Sequence, residues 1–329
     1  MTLSPSHSFF LSPSNKFLLI FGVAVGLVLL GLWLYSPEVW GAVVIGFFPS
    51  ATLALLHGER LDIVSGRRLG LAVATKGNAL AMAGTIMVPG RLAELFKPIY
   101  FRRRRSIPIM DGLSIVVVER SFDVIALSTL MLVAVALLAP DDVALLNASR
   151  FVAVFGLVTL FVGLAFVLKF PGGCRRVLNA VPGMRLSRFL ISAFDSFQQG
   201  VSHGLSPRQI GLTILAWLGS WGLYWLFLQL DGGVALSFGQ ALVVFLVGSI
   251  GLTVAITPGG LGTFEAALAF VLHRYGYEVD AALASAVGLR VTALLPSICI
   301  CMYMVLREGF EFGRIRDIAR DMKDDRTST

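Results

Sequence analysis

The stretch Thr257-Pro258-Gly259-Gly260-Leu261-Gly262-Thr263-Phe264-Glu265 interrupts a long apolar region and ends in a carboxylate. Apolar runs flank it on both sides, so it lies where lipid or protein interior is expected. Irregular backbone at membrane depth is tolerated only where it is buried in protein or lines a wet cavity. A glutamate there is costly, and its presence indicates a function. The alternative interpretation is a loop at the membrane surface with a solvated Glu265.

The composition is that of a membrane protein. The 329 residues are 56% hydrophobic and only 14% charged, whereas soluble domains are about 25% charged. Apolar runs of about 20 residues predict an all-α polytopic membrane protein, because a transmembrane barrel would show short alternating segments. The net charge of +7 comes from basic residues between the apolar runs. That placement favours orientation in the membrane and contact with anionic lipid over nucleic-acid binding.

Sequence motifs for cofactor chemistry are missing. The chain has no Walker A, Rossmann or G-x-S-x-G pattern, which argues against ATP-driven transport by this chain alone. The spacing of the cysteines and histidines matches no metal or disulfide framework; they are Cys174, Cys299, Cys301, His7, His57, His203 and His273. We therefore expect no cofactor and no metal.

The distribution of basic residues predicts how the chain crosses the membrane. Residues 1–16 are rich in Ser and Pro and are predicted to be disordered. Basic clusters occur at Arg60/Arg67/Arg68, at 102–105, at 175–208 and at 307–326, and the positive-inside rule places them in the cytoplasm. The chain is therefore predicted to lie in the cytoplasmic membrane with both termini inside, and 307–329 is a basic cytoplasmic tail. The apolar runs are 17–35, 39–57, 69–88, 113–139, 151–169, 209–230, 236–257, 262–272 and 281–306.

Two segments must return to the side from which they enter. Residues 69–101 lie between two basic loops, and residues 236–274 lie between two loops that lack basic residues. Each segment carries a Pro-Gly break, at Pro89-Gly90 and at Pro258-Gly259. We predict that both are re-entrant hairpins, one from each face, which leaves about six full spans.

The two hairpins also resemble each other. Pro89 and Pro258 are separated by about half of the chain, and a glutamate follows each break, Glu94 in one case and Glu265 in the other. An inverted repeat with halves 17–139 and 151–306 would explain this, as in many transporters. The alternative is coincidence in a chain with 34 glycines.

Charged residues inside the apolar runs are the candidate functional groups. Glu119 and Asp123 share a helix face, with Arg120 one step around. They either snorkel to the cytoplasmic surface or face a polar cavity together with hairpin residues, namely Arg91, Glu94 and Lys97. Arg290 lies near mid-membrane and needs a partner, for which Glu265 or a bound anion is the natural candidate.

These residues together resemble a known family. The motifs are Gly77-Asn78, Pro89-Gly90-Arg91-Leu92-Ala93-Glu94, Glu119-Arg120-Ser121-Phe122-Asp123, Pro258-Gly259-Gly260-Leu261-Gly262-Thr263-Phe264-Glu265 and Arg290. In this order they are similar to the integral-membrane flippase domain of the lysylphosphatidylglycerol synthase/flippase family, over roughly 17–306. The resemblance implies a bacterial or archaeal membrane protein that translocates, or helps to handle, an anionic or polyprenyl-linked lipid.

Two features depart from the family pattern. The family more often shows Arg-x-Gly-Glu where this chain has Arg91-Leu92-Ala93-Glu94, so we expect the hairpin geometry to differ there. The synthase members also carry a soluble aminoacyl-transfer domain, and the roughly 23 residues after Leu306 are too few for one. Lysyl transfer is therefore not expected of this chain.

The leading hypothesis is a lipid translocase without enzymatic activity. Arg91, Arg120 and Arg290 would hold a lipid phosphate, aided by backbone N–H groups after Pro258. The alternative is an accessory protein for a glycosyltransferase or aminoacyl-transfer partner, or an enzyme with Glu119 or Glu265 as general base. The predicted substrate-binding residues are Asn78, Arg91, Glu94, Lys97, Glu119, Arg120, Asp123, Pro258, Gly259, Gly260, Gly262, Glu265 and Arg290.

Overall fold

A computed structural model describes residues 36–86, 90–137, 169–179, 184–253, 257 and 260–308, together with five isolated helical positions. Within these residues the fold is all-α, as predicted, with ten α-helices and one 3₁₀ helix. The predicted disordered N-terminus 1–16 lies outside the described residues. The same holds for nearly all of the predicted spans 17–35 and 151–169 and of the tail 307–329. The count of six spans and the position of the termini therefore stay predictions.

The helices follow one another in a simple order. They are α1 (Pro37–Val64), α2 (Leu71–Gly84), the 3₁₀ helix Gly90–Leu95, α3 (Phe96–Arg105), α4 (Ile109–Leu137), α5 (Pro171–Asn179), α6 (Met184–Gly204), α7 (Pro207–Leu230), α8 (Phe238–Thr253), α9 (Thr263–Arg274) and α10 (Val279–Glu308).

Several helices are long enough and apolar enough to cross a membrane. Among the described residues these are α1, α7 and the Val279–Met304 part of α10. Helix α4, with 29 residues, extends over about 44 Å at 1.5 Å per residue, although it carries several charges. The chain is therefore a multi-pass membrane protein.

Local sequence explains where α1 ends. Gly66 and Arg67 adopt φ angles of 68° and 65°, a conformation that terminates a helix. The Asp62 carboxylate accepts a hydrogen bond of 2.7 Å from the Gly70 N–H. This bond closes the turn and leads the chain directly into α2.

Helices α1 and α7 are antiparallel. Arg208, near the start of α7, lies 2.7 Å from the Glu59 carboxylate near the end of α1. At the other end, Gly232, which follows α7, lies against the side chain of Glu38 near the start of α1. We call the two ends of the molecule the basic end, marked by Arg67 and Arg208, and the Asp231 end.

Each predicted hairpin turns back to the end from which it starts. In the first, α2 to α3, Arg105 donates a hydrogen bond of 2.8 Å to the Leu69 carbonyl, so both ends of the hairpin lie at the basic end. In the second, α8 to α9, the Tyr277 hydroxyl donates 3.1 Å to the Val234 carbonyl. Both ends of this hairpin lie at the Asp231 end, so the two hairpins enter from opposite ends.

The same order of elements occurs twice. Helix α1 begins at Pro37 and α7 at Pro207, while α4 begins at Ile109 and α10 at Val279. The two pairs of starting residues have the same separation along the chain, and a hairpin lies between the two helices of each set. Because α1 and α7 are antiparallel, the two sets have opposite orientation.

Two apolar cores hold the hairpins. Around the first hairpin the buried residues include Leu80, Phe101 and Ile115. Around the second they include Leu246 and Leu268. The glycines of α2 permit close packing, because a Cβ on Gly77 would lie 2.5 Å from the Phe101 ring. Each hairpin tip is thereby fixed next to the middle of the long helix that follows it.

Candidate functional site

The tip of the first hairpin meets the charges of α4. Lys97 lies 2.9 Å from a Glu94 oxygen and 2.8 Å from a Glu119 oxygen. The side chains of Lys97 and Glu119 are both fully buried, at 0% exposure. The expected contact between hairpin residues and the α4 charges is therefore present.

Arg120 links three carboxylates. Its guanidinium lies 3.2 Å from Glu119, 3.2 Å from Asp123 and 3.7 Å from Glu94. Glu119 is completely buried and the Asp123 side chain is only 6% exposed. The alternative that these acidic groups snorkel to the surface is therefore wrong.

Arg60, which lies on α1, also belongs to this network. The sequence predicted that Arg60 lies in a cytoplasmic loop, and the structure corrects this by placing it in the helix. Helix α1 continues beyond the predicted end at His57 as far as Val64. The Arg60 side chain is 0% exposed and lies 2.6 Å from an Asp123 oxygen. The predicted run ended at its first ionisable residue, His57, whereas the buried carboxylate of α4 stabilises a continued helix.

Three further polar side chains surround this pair, and sequence reasoning missed all of them. Arg60 donates to the Thr213 hydroxyl at 3.1 Å and contacts Nδ1 of His57 at 3.0 Å. The Trp217 indole N–H donates to Asp123 at 3.2 Å. The spacing of His57 and Arg60, which places them on one helix face, was the one available signal.

We call this group the α4 cluster: Glu94, Lys97, Glu119, Arg120, Asp123 and Arg60. It contains three cations and three carboxylates, so its formal charge is zero. Buried charges are stable only when paired and hydrogen-bonded. Within the described residues every charge of the cluster has an ion-pair partner without a ligand, while Nε of Arg120 and Oε1 of Glu119 make no hydrogen bond there.

A second and smaller cluster lies on α10 and pairs Arg290 with Glu265, as the sequence indicated. The guanidinium contacts both carboxylate oxygens of Glu265, with 3.1 Å from one terminal nitrogen to Oε2. The same nitrogen donates 2.9 Å to the Gly260 carbonyl. The guanidinium also lies over the Phe264 ring, 4.6 Å from its centre, a favourable cation–π distance. We call Arg290, Glu265, Gly260 and Gly262 the α10 cluster.

Glycine geometry shapes the tip of the second hairpin. Gly260 and Gly262 have φ angles of 66° and 86°, which other residues rarely adopt. The Gly262 N–H donates 2.8 Å to Oε2 of Glu265. The Glu265 carboxylate thus occupies the position at the start of α9 where a helix N-terminus attracts an anion.

The remaining predicted residues are not joined to either cluster by the described contacts. Pro258, Gly259 and the Arg91 side chain lie outside the described part of the chain. Asn78 is buried in α2, and the described contacts of both clusters do not include it.

Comparison with known proteins identifies the family. The family described as "Lysylphosphatidylglycerol synthase TM region" matches residues 17–301. A relative named UPF0104 membrane protein MJ1078, from Methanocaldococcus jannaschii, is 23% identical over 203 residues, which cover 60% of this chain and 82% of the relative. No solved structure matches the chain. Because the family match covers most of the chain, this protein belongs to the lysylphosphatidylglycerol synthase transmembrane-region family.

Proposed function

We propose that this chain, as a member of that family, is a lipid translocase of the cytoplasmic membrane that moves an anionic phospholipid or a polyprenyl-phosphate-linked lipid. One observation carries the proposal: in each half an arginine within a long helix pairs with a glutamate from a hairpin tip, and the two hairpins enter from opposite ends. Ionisable residues at such depth mark substrate pathways in membrane proteins.

The α10 cluster supports recognition of an oxyanion. Arg290 and the Gly262 N–H both bind the Glu265 carboxylate. A phosphate is also an oxyanion, and it accepts the same charge-assisted hydrogen bonds from a guanidinium and from a helix N-terminus. A lipid headgroup therefore binds by replacing the Glu265 carboxylate.

The α4 cluster offers one accessible cation. Arg120 is 30% exposed, whereas Lys97 and Arg60 are fully buried. The contact of Arg120 with Glu94 is the longest of its described ion pairs, at 3.7 Å. A headgroup phosphate that approaches this tip therefore displaces Glu94 first, while the buried pairs keep Arg120 oriented.

The opposite entry of the hairpins supports transfer between leaflets. In transporters with inverted repeats, substrate sites lie at interrupted helices, and movement of one repeat against the other alternates access. The acyl chains remain in the bilayer, so only the headgroup needs the two polar sites. We propose that each cluster serves the face from which its hairpin enters.

The geometry supports transport over catalysis. Of the two alternative general bases, Glu119 is fully buried and bonded to Lys97, and Glu265 is held by Arg290 and Gly262. A general base must reach the proton that it removes. A glycosyltransferase or aminoacyl-transfer partner stays a separate proposal, and activity of the purified chain alone would make such a partner unnecessary.

Mass spectrometry of co-purified lipid tests the proposal. We expect the wild-type protein to retain one anionic or polyprenyl lipid above its abundance in the host membrane, and Arg290→Ala to lose that enrichment. Glu265→Ala should keep or increase it, because this variant removes the carboxylate that competes with the headgroup for Arg290. Arg175→Ala is the matched control, because Arg175 pairs with Asp195 at the surface with 51% exposure. Bound lipid that mirrors the host membrane in all four proteins would contradict the proposal.

A further inference from the structure

The two halves of the repeat differ in their buried polar groups. The arginine–glutamate pair occurs in both, as Arg120 with Glu94 and as Arg290 with Glu265. The other buried polar groups of the α4 cluster, and His57 beside them, occur only in the first half. When Pro37 is aligned with Pro207, the residues His57, Arg60, Glu119 and Asp123 correspond to Phe227, Leu230, Leu289 and Ala293. The shared pair accounts for the headgroup, so the additional groups of the first half require a role that is needed only once.

Hydrogen bonding defines the protonation state of His57. Its Nδ1 lies 3.0 Å from a terminal nitrogen of Arg60. A guanidinium can only donate, so Nδ1 is the acceptor and carries no proton. The imidazole is therefore neutral, with its proton on Nε2. In this state His57 accepts one of the hydrogen bonds that the fully buried Arg60 donates.

The charges that act on His57 come from two helices. On α1 the neighbouring cation is Arg60, and α4 contributes Glu119, Arg120 and Asp123. Helix α7 contributes the uncharged Trp217, whose ring lies edge-on to the imidazole at 6.5 Å between centres. Because the charged groups of the α4 cluster sum to zero, a proton on His57 gives the site a net charge of +1.

We propose that His57 binds one proton for each anionic headgroup that the α4 cluster accepts, so that the headgroup and the proton move together. The proposal rests on the proposed function. A headgroup that takes the place of Glu94 on Arg120 leaves Glu94 paired with Lys97. The headgroup therefore adds a negative charge to a site with no net charge, and the proton on Nδ1 restores neutrality.

The proton step uses groups that are already in place. Binding of a proton to Nδ1 removes the acceptor for one Arg60 nitrogen, while Arg60 keeps its bonds to Asp123 and Thr213. When the headgroup leaves, the positive charge next to Arg60 is no longer offset, and Nδ1 releases the proton. The second half has Phe227 at the equivalent position, so the stoichiometry is one proton per headgroup.

Proton uptake on ligand binding tests the proposal without transport. The purified chain in weakly buffered detergent is titrated with dihexanoylphosphatidylglycerol, and with dihexanoylphosphatidylcholine as the lipid of no net charge. We expect uptake of about one proton per bound phosphatidylglycerol, and a Kd that rises about tenfold per pH unit over the pH range in which that proton is taken up. His57→Gln should bind without proton uptake, because a glutamine oxygen accepts from Arg60 but takes no proton.

Two further variants make the result decisive. His203→Gln is the control, since His203 lies against Gly66 at the basic end, and it should behave as wild type. If His57→Gln lowers thermal stability, His57→Phe introduces the residue found at the equivalent position of the second half. Wild-type binding without proton uptake, absence of wild-type binding, or equal uptake by the His57 variants would overturn the proposal.

Failure of this proposal is distinguishable from failure of the proposed function. Lipid transfer between leaflets is measured separately, on the same proteins in liposomes. Proton uptake without transfer would leave the proton site standing and remove the translocase. Lipid transfer without proton uptake would support the translocase and remove the proton site.

Discussion

Arg120 and Arg290 occupy equivalent positions: each is the twelfth residue of a long helix, and each meets a glutamate from the tip of the preceding hairpin. The two helices belong to halves of opposite orientation. Under the proposed function, these two arginines at matching positions, approached from opposite ends, are a pair of related anion sites. The proposed lipid transfer depends on this relationship.

Buried pairs in the α4 cluster should be far more sensitive to substitution than surface pairs. Lys97→Met leaves the buried cluster with three carboxylates and two cations, and Glu119 with Arg120 as its remaining described partner. We expect this to cost about 3–5 kcal/mol of unfolding free energy. The double variant Lys97→Met/Glu119→Gln should recover much of that loss, because no unpaired charge remains. Chemical denaturation in detergent measures both.

Arg175 and Asp195 provide the comparison for this experiment. Their side chains are 51% and 36% exposed, and exposed pairs contribute about 0–1 kcal/mol. Arg175→Met should therefore change stability by less than about 1 kcal/mol. A Lys97→Met variant as stable as Arg175→Met would show that Arg120 alone compensates the charge of Glu119 or that Glu119 gains a proton.

The positive φ angle of Gly262 should matter by itself. A Cβ on Gly262 would meet no atom within 4 Å, yet the φ angle is 86°. Gly262→Ala should therefore destabilise through backbone strain alone, by about 1–3 kcal/mol. It should also weaken the 2.8 Å bond that Gly262 donates to Glu265.

Gly211→Ala is the matched control for that variant. Gly211 also has open space around its Cβ position, but it lies within α7. Alanine is favoured over glycine in a helix by about 1 kcal/mol, so this variant should be as stable as wild type or more stable. Thermal unfolding of both variants compares them, and equal midpoints would contradict the predicted strain at Gly262.

Asp231, after the end of α7, should make stability depend on pH. Burial raises the pKa of its carboxyl above the ordinary value, against the hydrogen bonds from Ser285, Gly233 and Tyr277, which lower it. The folded protein therefore holds this proton more tightly than the unfolded chain does. The stabilisation is fully present below about pH 4, the ordinary range of an aspartate, and is lost as pH rises through the raised folded pKa.

Asp231→Asn removes this titration. We expect the melting temperature of wild type, relative to that of the variant, to fall as the pH rises from 4 to 7. If the relative melting temperature of wild type instead rises over that range, the hydrogen bonds to Asp231 outweigh the effect of burial on its pKa.

The sequence predicted those parts of the fold that follow from local pattern and loop charge. The Pro-Gly breaks at Pro89 and Pro258 and the basic loops around them predicted two segments that turn back. The isolated charge of Arg290 predicted a partner, either Glu265 or a bound anion, and the structure shows Glu265 in contact with it. Both predictions follow from the high cost of unpaired charge and irregular backbone in an apolar environment.

The missed residues depend on contacts between distant parts of the chain. Arg60 was assigned to a loop because the apolar run before it ends at His57. Its burial comes from Asp123 and Thr213, which are 63 and 153 residues away. No local sequence pattern predicts such a contact. Trp217 lies within an apolar run, where its sequence position gives no sign of a polar contact. The described structure thus added Arg60 to the α4 cluster, together with the polar side chains of α1 and α7 that surround it.

The most direct test of the central claim is the rate of lipid transfer between leaflets by the purified chain in liposomes. A fluorescent phosphatidylglycerol is compared with a fluorescent phosphatidylcholine, for wild type, Arg290→Gln, Arg120→Gln and the control Arg175→Gln. We expect wild type and Arg175→Gln to transfer the anionic lipid faster than protein-free liposomes do, and the other two variants to lose at least tenfold of that rate, which corresponds to about 1.4 kcal/mol. Equal rates for all four proteins, or for both lipids, would contradict the claim that Arg120 and Arg290 bind the headgroup.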